Sequence, residues 1–105
     1  MQLGIIISQI DPETVWNAYR LGIFALEQRD KVKIFLLGRG VESEIEDPKF
    51  NVKEQVTKYV EAGGEIYACG TCMKSREMKS TNTCPLSTMK DLYNLIKESD
   101  KVLTF

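Results

Sequence analysis

Apolar residues follow two different periods along this chain, and the two periods alternate from one end to the other. Runs rich in β-branched residues, typical of strands buried on both faces, occupy residues 3–8, 32–37, 65–69 and 101–105. Segments with apolar residues at helical spacing occupy residues 12–28, 52–62 and a last stretch from residue 87 or 88 to residue 98. The pattern therefore predicts strands that alternate with helices.

The residues at the segment boundaries agree with this assignment. Asp11 precedes Pro12 and is suited to cap the first helix, and Asn51 is suited to cap the second. Ser87 or Thr88 is expected to cap the last helix. A short helix is predicted at residues 41–45.

Strands and helices in this alternation predict an α/β fold, a three-layer α/β/α arrangement with a mostly parallel sheet of four to five strands. A chain of 105 residues is one domain, residues 1–105. Ligand sites of such sheets gather beyond the carboxyl ends of the strands. Three segments are expected at that edge: residues 8–10, 38–40 and 69–72.

Charge and hydropathy exclude several classes of partner. Fourteen basic and fifteen acidic residues give a net charge of −1, and the absence of a basic stripe argues against direct binding of nucleic acid. No apolar run approaches the ~20 residues that span a membrane, and no signal peptide is recognisable. We therefore expect a cytoplasmic protein without a membrane partner.

The chemistry of the chain is concentrated in its three cysteines, Cys69, Cys72 and Cys84. In a reducing compartment, clustered cysteines are more often catalytic or metal-binding than disulfide-bonded. Cys69 ends the third predicted strand, where the start of a helix favours the thiolate. The alternative is that Cys69 is a small buried packing residue.

Two features around the cysteines bear on ligands. Three thiolates could bind zinc only with a fourth ligand, and the chain has no histidine, so we expect no metal and no cofactor. Gly70 allows a ligand or another backbone segment to approach closely, and Thr71 lies beside it. Lys74 and Arg39 are expected to supply positive charge for an anionic substrate. The segment around Arg39 matches neither phosphate-loop pattern and is interpreted as a strand-ending turn.

Four segments carry a resemblance to a known family: GIIIS at residues 4–8, VKIFL at 32–36 with GRGV at 38–41, IYACGTC at 66–72 and DKVLTF at 100–105. Together they resemble the DsrE/DsrF-like family over the whole chain. The resemblance implies a small protein, flavodoxin-like in style, that forms a homo-oligomer (trimer or hexamer) or a hetero-oligomer with related subunits. Characterised members, such as the TusD subunit of the tRNA 2-thiouridine relay, accept sulfur as a cysteine persulfide and pass it on.

The family's sulfur-carrying cysteine corresponds by position to Cys69. The resemblance therefore implies a sulfur carrier or sulfurtransferase-like protein that accepts sulfane sulfur on Cys69 from a donor protein and transfers it to an acceptor, in intracellular sulfur relay or sulfur oxidation. Cys72 is the candidate resolving thiol, and Cys84 is a further candidate at the same edge. The family's basic pair after the cysteine is represented by Lys74 and Arg76.

Two other functions remain open from the residues. Cys69 and Cys72 have the C-x-x-C spacing of a dithiol oxidoreductase or redox sensor. The other open function is that of an oligomeric binding module whose cysteines are structural packing residues.

Overall fold

In the computed structural model, which describes residues 1–78 and 86–105, five parallel strands form one sheet. The strands are β1 (Gln2–Ile7), β2 (Lys31–Leu36), β3 (Glu65–Cys69), β4 (Leu86–Ser87) and β5 (Lys101–Thr104). The helices are α1 (Pro12–Glu27), α2 (Val52–Glu61), α3 (Gly70–Ser75) and α4 (Met89–Glu98), with a 3₁₀ helix at Gly38–Glu42. The α/β fold with a parallel sheet is thus confirmed.

The strand order is β4-β3-β2-β1-β5, so the chain steps outward from β1 and then crosses back. Helices α1 and α2 pack against each other on one face of the sheet, whereas Leu95 of α4 packs over Gly4 of β1 on the other face. Right-handed crossovers that run in opposite directions along a sheet place their helices on opposite faces of it. The predicted three layers are therefore present.

Each layer boundary has its own apolar core. The larger core lies under α1 and α2 and includes Val15, Ile34 and Tyr59. The smaller core contains Phe35, Cys69 and Leu95. Because successive side chains of a strand point to opposite faces, Ile34 and Phe35 belong to different cores. Cys69 therefore lies on the α4 side of the sheet.

Tyr59 fixes α2 to the beginning of two strands. Its buried hydroxyl lies 3.0 Å from the carbonyl oxygen of Val32 and 2.9 Å from that of Glu65. Burial raises the pKa of this phenol far above its usual range, so the hydroxyl stays protonated and can donate. The ring also closes over Gly64, where a Cβ atom would lie 2.3 Å from Cζ.

The predicted helix caps are present. Asp11 accepts from the Thr14 amide over 3.0 Å, and Asn51 accepts from the Glu54 amide over 3.1 Å. Of the two candidates for the last helix, Thr88 is the cap, and it forms a capping box with Asp91. These side chains satisfy amides that the first helical turn leaves unpaired.

The structure differs from the sequence prediction at two places. The short helix expected at residues 41–45 was wrong: a 3₁₀ helix begins three residues earlier, at Gly38, whose φ of 57° turns the chain directly out of β2. Residues 38–40, interpreted as a turn, are the start of this helix. Strand β4 pairs only two residues with β3, which is too short for a periodic pattern to reveal.

Candidate functional site

The segments that follow the first three strands meet at the carboxyl edge of the sheet, as the sequence predicts. The Leu37 amide donates to the Ile7 carbonyl over 2.9 Å and joins the ends of β2 and β1. Gly40 packs so closely on β1 that a Cβ atom there would lie 1.9 Å from the Ile7 oxygen. Helix α3 also contacts the 3₁₀ helix. Cys69 and Cys72 therefore lie close to residues 38–42 at this edge of the sheet.

Cys69 is the last residue of β3 and is only 3% exposed. It is a free thiol that shares the smaller core with Phe35 and Leu95. Burial raises the pKa of Cys69, and a hydrogen bond from its thiol to the side chain of Cys72 raises it further. The amides of Cys72 and Thr71 oppose this increase without cancelling it. Cys69 thus holds its proton.

Cys72 lies in α3, is also free and is only partly buried. The Gly38 amide donates to its Sγ over 3.3 Å. The hydrogen bond from Cys69 lowers the pKa of Cys72, and the Gly38 amide and the Arg76 charge lower it further against the opposing effect of burial. The pair therefore consists of a buried thiol with a raised pKa and a more accessible thiol with a lowered pKa.

Arg76 connects the two segments that hold this sulfur. Its Nη1 donates to the Cys72 carbonyl over 3.1 Å, and its Nε lies 3.0 Å from Oε1 of Glu42 in the 3₁₀ helix. The sequence predicted Arg76 as a positive charge and, from the family resemblance, as one of the basic pair after the cysteine, without a contact to Cys72. The sequence signal for a contact with Cys72 is the spacing of four residues, because residues four apart are neighbours on a helix.

The remaining predicted residues are divided between two places. Gly70, Thr71 and Lys74 line a depression of about 240 Å³ together with Leu86 and Met89. Arg39 is exposed on the 3₁₀ helix, and the guanidinium that acts on Cys72 is that of Arg76. Cys84 lies outside the described residues.

The sequence predicted that the start of a helix favours a thiolate at Cys69, but the pKa of Cys69 is raised and the helix that follows it, α3, is short. It has six residues, so its dipole is small, and burial dominates at Cys69. Within residues 1–78 and 86–105, no three Cys, Asp or Glu side chains come together in a group that could hold a metal ion. In the same ranges, no helix has the length and apolar character needed to cross a membrane.

Comparisons with known proteins agree with the fold. The model of the DsrE/DsrF-like family matches residues 1–105. The uncharacterized protein MK0008 of Methanopyrus kandleri is 36% identical over 100 residues, covering 89% of this chain and 83% of that protein. The uncharacterized protein MJ0989 of Methanocaldococcus jannaschii is 34% identical over 116 residues, and the match covers both chains fully.

Two solved structures share the architecture. The crystal structure of the ychN protein from E. coli has a TM-score of 0.82 at 23% identity, with both chains covered fully. The structure of the conserved protein BT1422 from Bacteroides thetaiotaomicron has a TM-score of 0.82 at 21% identity, covering 99% of this chain and 94% of that one. At these identities the likeness concerns the fold.

Proposed function

The chain belongs to the DsrE/DsrF-like family, and on that premise we propose that it accepts sulfane sulfur as a cysteine persulfide at the Cys69–Cys72 pair and passes it on. Family membership confirms the resemblance seen in the sequence and indicates a sulfur-relay role in general terms. The observation that carries the finer proposal is the pair itself: two free thiols, of which Cys72 accepts a hydrogen bond from the Gly38 amide and has a lowered pKa.

The chemistry requires no residue that the chain lacks. A cysteine thiolate attacks the outer sulfur of a donor persulfide, the donor's S–S bond breaks, and the donor leaves as a thiolate. The new persulfide holds the transferred sulfur, and the cysteine pair undergoes no net oxidation. Histidine is not needed, because a lowered pKa makes the thiolate easier to form without a general base. The family position predicts Cys69 as the carrier, and this assignment remains a prediction.

Mass spectrometry tests the proposal directly. After incubation with a persulfide donor and alkylation, we expect a mass gain of ~32 Da, one sulfur atom, on the peptide that contains both cysteines. The matched control is the double variant Cys69→Ala, Cys72→Ala, which should gain nothing there. A wild-type protein that takes up no sulfur on this peptide would contradict the proposal.

We further propose that the chain assembles with copies of itself through the outer face of α4. Three apolar side chains at helical spacing, Met89, Tyr93 and Ile96, are exposed there. Tyr93 is 61% exposed, and contiguous apolar groups of this kind mark interaction surfaces. A sulfur donor or acceptor protein would then meet the assembled form.

A second function is supported by the same pair. Two hydrogen-bonded thiols at C-x-x-C spacing are also the arrangement of a dithiol oxidoreductase or redox sensor. Oxidation of both thiols would form one disulfide and reduce one molecule of oxidised glutathione to two of the thiol. Thiol counting across a series of glutathione potentials separates the two functions, because a redox pair shows a two-electron transition.

A further inference from the structure

We propose that Cys72, rather than the strand-ending Cys69, is the catalytic sulfur that attacks the incoming persulfide, and that Cys69 is a positioning residue that acts on Cys72. This inference rests on the proposed function, which it deepens by assigning separate roles to the two sulfurs.

Access distinguishes the two cysteines. An attack on a persulfide requires contact between the attacking sulfur and the donor's outer sulfur. Cys69 is 3% exposed and shares a core with Phe35 and Leu95, so a donor cannot reach it unless the side chains packed around it move. Cys72 is partly exposed on α3, at the surface of the same edge. A donor therefore meets Cys72 first.

The polar groups of the site also converge on Cys72. The Gly38 amide donates to its Sγ, the Cys69 thiol donates to the same sulfur, and Arg76 adds a positive charge. Each of these groups stabilises a negative charge on Cys72. Cys69 is in the opposite situation, since burial and its own donated hydrogen bond favour the protonated form. The thiolate that starts the reaction therefore belongs to Cys72.

Both halves of a transfer use the same groups. In the first half, the Cys72 thiolate bonds to the outer sulfur of the donor, whose S–S bond breaks to release a donor thiolate. In the second half, an acceptor thiolate bonds to that outer sulfur, the Cys72 S–S bond breaks, and Cys72 leaves as a thiolate. A thiol with a lowered pKa leaves faster, so the Gly38 amide and Arg76 assist the departure of Cys72 as well.

The protonated state of Cys69 explains how a carrier can coexist with a neighbouring thiol. A thiolate at Cys69 would attack Cys72 Sγ in the persulfide, form a Cys69–Cys72 disulfide and release HS⁻. A protonated thiol is a far weaker nucleophile. Because Cys69 retains its proton, it stabilises the charge on Cys72 without discharging the sulfur.

The experiment compares the single variants Cys69→Ala and Cys72→Ala with the wild type. Each protein is incubated with glutathione persulfide at about pH 9, so that a thiol with an ordinary pKa is substantially ionised and access decides the rate. Samples are alkylated at intervals and digested with trypsin, which leaves both cysteines on the peptide of residues 59–74 and Cys84 on the separate peptide of residues 80–90. Fragmentation between Gly70 and Thr71 then locates the added sulfur. Circular dichroism establishes that each variant is folded.

We expect Cys69→Ala to gain sulfur on Cys72 and Cys72→Ala to load Cys69 at least ~10-fold more slowly than the wild type loads the pair, since Cys69 is poorly accessible. Loading of Cys72→Ala at the wild-type rate, or loss of loading in Cys69→Ala, overturns the assignment. Absence of loading in the wild type and in both variants instead refutes the proposed function, so the two failures are distinguishable.

Discussion

The Gly38 amide and Cys72 Sγ, 34 residues apart in the chain, are joined by a hydrogen bond of 3.3 Å. This contact links the segment after β2 to the helix after β3. An amide donor favours the charged form of the sulfur that it contacts. The site therefore depends on the packing of the 3₁₀ helix against α3.

Native alkylation by iodoacetamide should modify Cys72 before Cys69. Because the pKa of Cys72 is lowered, its reaction rate should reach its plateau at a pH below that of an ordinary thiol. Cys69→Ala removes the hydrogen bond from the Cys69 thiol and should raise the pKa of Cys72, slowing alkylation about tenfold at neutral pH. The measurement is the pH dependence of the alkylation rate, resolved by peptide mapping. Faster modification of Cys69 would contradict the division of roles.

Arg76→Gln should raise the pKa of Cys72, because it removes the positive charge that acts on the thiolate. Alkylation of Cys72 at neutral pH should slow by roughly threefold, the scale of one partly exposed charge interaction. The matched control is Arg39→Gln, which removes the same charge from an exposed position on the 3₁₀ helix and should leave the rate unchanged. Equal effects of the two substitutions would show that only the net charge matters.

The lifetime of the loaded persulfide should fall as the pH rises. The pKa of Cys69 is raised, so Cys69 remains a thiol at neutral pH and becomes a thiolate only above the range of an ordinary cysteine. There it attacks Cys72 Sγ and releases sulfide. Sulfide release from loaded wild-type protein, followed with pH, should therefore increase steeply, and Cys69→Ala should remove the increase. A pH-independent lifetime in the wild type is the contrary result.

Gly40→Ala should destabilise the fold much more than Gly38→Ala. A Cβ atom at Gly40 meets the backbone oxygen of Ile7 at 1.9 Å, which side-chain movement cannot relieve, so we expect a loss of ~3 kcal/mol or more. Gly38 has open space around it but a φ of 57°, so alanine there should cost about 1 kcal/mol. Urea unfolding of both variants measures the difference, and equal losses would argue against the close packing on β1.

Substitution on the outer face of α4 should change the mass of the protein in solution. Tyr93→Glu places a charge within the exposed apolar group and should reduce any assembly towards the 12.0 kDa monomer. Phe24→Glu is the control, because Phe24 is 59% exposed but lies on α1, on the opposite face of the sheet. Sedimentation equilibrium gives the masses. A monomeric wild type, or dissociation by Phe24→Glu alone, is incompatible with an interface on α4.

Much of the fold follows from local sequence. Strands β1 and β2 and helices α1 and α2 lie within a residue or two of their predicted positions, because period and capping residues act within one element. The position of Cys69 at a strand end follows for the same reason. Strand β4 was not predictable, since two residues carry no period and pair only because β3 offers an edge.

Local sequence patterns place two cysteines with C-x-x-C spacing after the third strand, at the carboxyl edge of an α/β sheet. Which of them is buried and which has the lowered pKa follows from the packing of the folded chain. Burial of Cys69 depends on α4 packing over the sheet, and the thiolate at Cys72 depends on Gly38 and Arg76. Desolvation and hydrogen bonding set the pKa of a thiol, and both are produced by contacts between residues that are distant in the chain.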